Sequence, residues 1–257
     1  MKINRYNWLA PVIACIVLLA GWQSITQLFG ISPLIFPGPS NVASALISHF
    51  GQLLYHAGIT LLESVCGFLL GGLIAICLAI LFVFSKDTER ALYPYAIAMK
   101  AIPLVALAPI VVAWFGGGLT SKVILAAVIS FFPVLVNAID GLKNVESEAL
   151  DLMKSFSASR WCIFTKLQWP GALPQIFAGL KIASSFSVVG AVVAEFVNAQ
   201  AGIGFVIKSS SYYLDTDLTF AAIFIAALMG LLFFAIVVWL QSFFVFWQKP
   251  NRETDKS

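Results

Sequence analysis

The sequence predicts an all-α fold, a polytopic membrane helical bundle of about six transmembrane helices. Three observations carry that reading. Of 257 residues, 60% are hydrophobic and only 11% are charged, against about 25% charged in soluble domains. The mean hydropathy of +0.95 implies more apolar side chain than a soluble core of this length can bury, so lipid must be the solvent for much of it. Apolar stretches also recur at the length of one bilayer crossing, ~20 residues.

The elements follow in order. The first apolar run, 8–29, comes after Lys2 and Arg5. It exceeds the usual signal-peptide core and lacks a small-residue cleavage pattern, so it reads as a retained helix. Pro33, Pro37 and Pro39 then interrupt the chain. From Asn41 to Tyr55 the residues Val42, Leu46, Phe50, Leu53 and Leu54 recur at helical spacing, with Ser40 placed to cap the helix. This predicts an amphipathic helix at the membrane interface.

Further spans are expected over 60–84, 93–115, 121–140, 171–195 and 218–247. The second ends at the charged turn Ser85 to Arg90, and the third at Gly116-Gly117-Gly118. Three units result: 1–56, a transmembrane helix with an outer amphipathic segment; 57–248, the bundle core; and 249–257, a polar tail. The core includes a long polar interruption at 141–169.

Basic residues set the orientation. With the N-terminus inside, 11 of the 15 Lys and Arg residues face the cytoplasm, two (Lys122 and Lys208) face outward, and Lys100 and Lys181 fall within spans. Both termini are therefore expected in the cytoplasm. A net charge of +3 is too small to argue for nucleic acid. The four cysteines form no close pair, and Cys15, Cys66 and Cys77, within apolar runs, read as small hydrophobes. His49 and His56 lie seven apart on one expected helical face, which is a poor metal site without further ligands. No P-loop, catalytic triad or CxxC appears, so neither a cofactor nor an enzymatic activity is expected, and ATP hydrolysis would have to come from another chain.

The 141–169 interruption is the main candidate for function. Glu146, Glu148 and Asp151 open a helix, where the helix dipole favours acids. Ala149, Leu152, Met153 and Phe156 give it an apolar face. Ser157-Ala158-Ser159 breaks it, and Ser159 caps a second helix carrying Trp161, Ile163, Phe164 and Leu167 beside Arg160 and Lys166. Such a hairpin must bury its apolar face, either on the membrane surface or in a groove on a soluble partner. Pro170 and Pro174 suit the first turns of the span that follows.

The stretch from Ser157 to Ala183 resembles the signature loop of ABC importer permeases. Asp151-Leu152-Met153 stands where the family has Glu-Ala-Ala, Ser157 where it has Gly, and Leu167-Gln168-Trp169-Pro170 where it has a hydrophobic run ending in Pro. Phe36-Pro37-Gly38-Pro39-Ser40, Thr60-Leu61, Ala101-Ile102-Pro103, Trp114-Phe115-Gly116, Phe131-Phe132-Pro133 with Asn137, and Val193-Ala194-Glu195 with Gly202-Ile203-Gly204 also match. The resemblance runs from about Ile31 to Trp247. It is nearest the subgroup importing taurine, alkanesulfonates, nitrate, and riboflavin or thiamine precursors. Glu63 stands where many of these permeases have Arg.

The resemblance implies a type I importer permease in the bacterial inner membrane. It would pair with a second permease copy as a homodimer and work with cytoplasmic ABC ATPase subunits and a periplasmic substrate-binding protein. It also implies that Glu148, Asp151, Leu152, Met153, Phe156, Ser157, Arg160 and Pro170 form the ATPase-coupling region. Glu195, Asn137 and Glu63 are candidates for the translocation path. A carboxylate within a span must face the bundle interior or water, so Glu195 either lines the path or pins the outer end of its helix. The expected solute is a thiamine pyrimidine precursor or a riboflavin-like molecule, with taurine, alkanesulfonate or nitrate as the alternative. A self-contained secondary transporter or channel is the alternative of a different class; the sequence shows no internal repeat of the kind many such proteins carry.

Overall fold

Hydropathy sets which helices form, and prolines and glycines set where they stop. The structure, a computed structural model, describes residues 9–100 and 102–247. Lys2, Arg5, Trp8, Ala101 and the tail from Gln248 lie outside the described residues. The helices are α1 (Leu9–Leu28), α2 (Pro39–Ser48), α3 (Phe50–Phe84), α4 (Lys86–Lys100), α5 (Leu104–Phe115), α6 (Leu119–Lys143), α7 (Ser147–Ser155), α8 (Arg160–Ile163), α9 (Trp169–Asn198), α10 (Ile203–Tyr212) and α11 (Thr216–Phe244). One π-helical turn, Phe164–Gln168, joins α8 to α9.

Five helices among the described residues are long and apolar enough to cross a membrane: α1, α3, α6, the continuous run Arg160–Asn198, and α11. The expected span at 93–115 is instead divided. It falls into α4 and α5, of 15 and 12 residues, each short of the ~20 that a crossing needs. The cause is Pro103, which lacks an N–H and disfavours helical geometry in the residue before it. It sits extended at φ −61°, ψ 121° as the residue capping α5.

Two further expectations change. The helix expected over Asn41–Tyr55 is split at His49, and its second half is the beginning of α3. Ser40 is not its cap: Gly38 holds that position and Pro39 opens the helix, as suits a residue with fixed φ and no N–H. The Ser40 N–H instead bonds Gln23 Oε1 at 3.1 Å, tying α2 to α1. Around that tie Trp22, Phe36 and Phe220 cluster with ring centroids 5.6–6.2 Å apart.

The second hairpin helix is likewise not separate. α8, the π turn and α9 form one unbroken rod. Pro170 cannot accept the α-helical bonding pattern, and a wider turn just before it relieves the conflict with the preceding carbonyls.

The bundle centre is the packing of α3, α6 and α9. Small residues let these helices touch, as expected where lipid supplies no hydrophobic drive between them. A Cβ on Gly67 or Gly71 would collide with Ala126 or Ala127, and one on Gly190 would lie 2.8 Å from Ala126 Cα. α5 packs on α6 and α9, while α10 and α11 pack on α9 and on each other.

Candidate functional site

Two polar regions stand out, one at each end of α9. At the far end from the hairpin, α9 carries Glu195 one turn before its last residue. The chain then turns through 199–202 into α10, leaving the first backbone N–H groups of that helix without partners of their own. Each of three consecutive ones is met by a side chain. Gly202 N–H donates to His56 Nδ1 at 3.0 Å, and Ile203 N–H donates to Thr60 Oγ1 at 2.8 Å. Gly204 N–H donates to Glu195 Oε2. Thr60 in turn donates its hydroxyl to Glu195 Oε1 at 2.7 Å. A carboxylate at a helix N-terminus also meets the positive end of the helix dipole.

The backbone is shaped for this contact. Gly202 has φ +109°, a region that side-chain-bearing residues avoid, and a Cβ there would run into the Glu195 carboxyl. A Cβ on Gly204 would lie 2.8 Å from Glu195 Cβ.

A second ionic contact lies beside the first. Glu63, one turn along α3 from Thr60, pairs with Lys122 Nζ at 3.3 Å. Glu63 also lies against Glu195. Thr60 and Glu195 are fully buried and Glu63 is 1% exposed. Glu63 Oε2 is buried without a hydrogen-bond partner among the described residues.

Lys122 was expected in an outer loop. It is instead buried in the first turn of α6, where it supplies the positive charge that Glu63 does not. His56 is buried on α3, whereas His49 sits at the α2–α3 break. They therefore do not share a site. The sequence reading selected Glu63 and Glu195, and the structure brings them together. Asn137 lies elsewhere. His56, Thr60 and Lys122 were missed as partners, although a buried acid near a helix N-terminus needs donors and could have prompted a search for them.

Asn137 lines a cavity of about 510 Å³ between α5, α6 and α9. The wall includes Leu107, Phe132, Ile182 and Phe186 and, among the described residues, carries no charged side chain. Asn137 donates its amide to Pro133 O at 2.8 Å, which leaves Oδ1 as an acceptor on a largely apolar wall.

At the other end of the bundle, the hairpin presents most of its residues outward. None of the residues of α7 is buried. Glu148, Asp151, Ser157 and Arg160 are exposed and Met153 is half-buried, while Leu152 and Phe156 are 58% and 76% exposed. Asp151 and Lys154 pair at 3.1 Å in solvent, a contact worth only ~0.3–0.5 kcal/mol.

The break falls where expected and takes a specific form. Ser157 N–H donates to Lys154 O at 2.8 Å and Ala158 N–H donates to Met153 O at 3.1 Å, the bonding of a Schellman motif. Ser157 accordingly adopts φ +57°, the conformation glycine favours. Ser159 accepts from Cys162 N–H at 3.2 Å, so its predicted capping role holds. Beyond it, Ile163 and Phe164 turn inward and are buried. Phe164 sits 5.1 Å from Phe84 and 5.5 Å from Trp161 between ring centroids. The outward apolar surface of the hairpin is therefore Leu152 and Phe156 on the α7 side with Trp161 of α8, the last at 65% exposure.

These features can be set against known proteins. The sequence model of the family described as "Binding-protein-dependent transport system inner membrane component" matches residues 67–248. A probable ABC transporter permease protein of Haemophilus influenzae is 37% identical over 245 residues, covering 95% of this chain and 99% of that protein. The formylaminopyrimidine transport permease protein ThiX of Halalkalibacterium halodurans is 33% identical, covering 96% and 99%. Relatives named for riboflavin, aliphatic sulfonates, taurine and nitrate also match, at 27–34% identity. A chain from the crystal structure of an amino acid ABC transporter with histidines superposes with a TM-score of 0.61 at 17% identity, covering 79% of this chain and 97% of that one. That likeness speaks to the fold.

Proposed function

The chain belongs to the family of binding-protein-dependent transport system inner membrane components, and from that membership we propose how this ABC importer permease works and what it carries. The α5–α6–α9 cavity is the solute route, and the hairpin 141–169 is the contact for a separate cytoplasmic ATPase. The permease core spans 57–248, preceded by the accessory segment 1–56. Both termini and the hairpin face the cytoplasm, on the strength of the basic-residue distribution. A second copy of the chain covers the α5–α6–α9 face, where Val105, Trp114 and Val189 are 70%, 76% and 50% exposed.

The observation that carries the coupling assignment is the apolar surface of α7. Leu152 on this polar helix and Phe156 at its end stay largely uncovered among the described residues. Anchors of this kind hold a helix in a partner's groove. Coupling then passes from Glu148, Asp151, Leu152, Met153, Phe156, Ser157 and Arg160 through the continuous rod, past Pro170, into α9, which lines the cavity.

The solute is an uncharged, flat heterocycle of the thiamine pyrimidine precursor or riboflavin type. The support is the cavity wall: aromatic and aliphatic side chains suit a ring, and Asn137 Oδ1 offers an acceptor for a ring substituent. A sulfonate or nitrate would find no cation there among the described residues. Within this reading Asn137 touches solute, whereas Glu195 holds the outer helix α10 in place and Glu63 ties α3 to α6 through Lys122.

The test is uptake into proteoliposomes holding the permease, its ATPase and its binding protein. Labelled formylaminopyrimidine or riboflavin should accumulate with ATP, and Asn137→Leu should lower uptake while leaving ATPase co-purification intact. Accumulation of taurine or nitrate instead would overturn the solute assignment. Orientation is read separately. In a cysteine-free background, Ser211→Cys should label from outside and Ser147→Cys from inside; the reverse pattern would overturn the topology.

A further inference from the structure

Beneath the hairpin, two recesses of about 570 and 700 Å³ adjoin, sharing Val83, Lys86, Leu150 and Gln168 in their walls. Together they form one cleft, bounded by the end of α3, the start of α4, the end of α6 and the hairpin. Its charge is uneven. Lys86, Arg90, Lys143 and Arg160 line it against Asp87 and Glu89. Glu89 is already paired with Lys143. Among the described residues Lys86, Arg90 and Arg160 have no salt-bridge partner.

The remaining wall is apolar. Phe82, Phe84 and Tyr93 contribute from the bundle, and Ile163 from α8. The apolar surface continues along the outside of the bundle through Leu81 and Leu92, 46% and 43% exposed. A soluble anion would use the cations and leave this surface bare. An acidic protein side chain would do the same. A phospholipid uses both, with its phosphate among the cations and its chains along the neighbouring helices.

We infer that this cleft is a binding site for the phosphate headgroup of an anionic phospholipid, bridging the α3–α4 turn to the coupling hairpin. Lys86 and Arg90 hold the phosphate from the bundle side and Arg160 from the hairpin side. A lipid so placed braces the hairpin against the bundle at the point where ATPase movement enters α9. The inference rests on the cytoplasmic placement of the hairpin proposed above; Ser147→Cys labelling reports that placement independently.

The test uses the full-length permease, delipidated in detergent and titrated with phosphatidylglycerol or phosphatidylcholine. Bound lipid is counted by native mass spectrometry. Wild type should retain phosphatidylglycerol in preference to phosphatidylcholine, and millimolar inorganic phosphate should not displace it. Lys86→Gln/Arg90→Gln should weaken phosphatidylglycerol roughly twenty-five-fold, at about five-fold per cation near a charged headgroup. Lys86→Arg/Arg90→Lys should keep it, and Lys208→Gln at the other end of the bundle should change nothing.

Equal retention of the two lipids by wild type overturns the proposal without any variant. Displacement by inorganic phosphate would mean that the cleft serves a free anion. Undiminished phosphatidylglycerol in the Gln variant, with ATPase co-purification lost, would assign these cations to the ATPase interface instead.

Discussion

The two ends of the Arg160–Asn198 rod treat their polar and apolar groups in opposite ways. At the end away from the hairpin, the outer one in the proposed orientation, a carboxylate, a threonine, a histidine and an ion pair are buried, and the start of α10 is bonded into them. At the inner end α7 buries none of its residues and holds Leu152 and Phe156 in the open. The outer end bonds most of its polar groups within the chain, with Glu63 Oε2 as an exception, so it fixes structure. The hairpin end leaves capacity unused, as the proposed coupling role requires. Substitutions at the two ends should therefore fail differently: outer ones through folding, inner ones through assembly.

The largest effect is expected at Glu195. Glu195→Leu strands the Gly204 N–H inside the bundle and leaves the Thr60 hydroxyl only His56 O, at 3.2 Å, to donate to, about 1–3 kcal/mol for each of the two bonds lost to the carboxyl. A stability loss of about 3–5 kcal/mol should appear as a sharply lowered thermal midpoint in detergent and a low yield of folded protein. Unchanged stability would place Glu195 outside the structural network and return it to the solute path.

Lys122 comes next. Lys122→Met leaves the Glu63 carboxylate buried with no cation from α6 and should cost about 3 kcal/mol. Glu63→Gln added to it should recover part of that loss. A double-variant cycle measures the difference. Simple additivity would mean that the 3.3 Å contact contributes no coupling.

The smallest effect is at the inner turn. Ser157→Gly places the residue best suited to φ +57° at the end of α7. It should stabilise the turn by about 0.5–1 kcal/mol. Hydrogen exchange over residues 147–163 should slow several-fold while global stability and ATPase binding stay the same. Faster exchange would show that Ser157 supplies something a glycine cannot.

Much of this division is legible in the sequence. The spans follow from runs of apolar residues whose only solvent can be lipid, and Glu195 follows from the cost of a carboxylate in such a run. The break at Ser157 and the cap at Ser159 follow from local hydrogen-bonding chemistry, which needs no distant partner. What was not legible depends on distant partners. Lys122 reads as a loop residue because only the packing of α3 against α6 places it beside Glu63. His56 reads as half of a histidine pair until Gly202, 146 residues away, is bonded to it. The divided third span was hidden for a different reason. Pro103 sits in a stretch as apolar as its neighbours, and hydropathy does not register a missing N–H. The burial of Ile163 and Phe164 was also out of reach, because periodicity marks an apolar face without saying what covers it.

The central claim is that the inner end is an assembly surface and owes nothing to the fold. The most direct test is co-purification of the ATPase with wild-type permease and with Leu152→Ala/Phe156→Ala, alongside thermal unfolding of each permease alone. Truncating exposed side chains should shift permease stability by no more than ~0.5 kcal/mol per site. Loss of two groove anchors, at about 1–2 kcal/mol or more each, should cut ATPase retention at least ~30-fold. Retention at the wild-type level by a well-folded double variant would contradict the account, because the apolar face of α7 would then have no ATPase to meet.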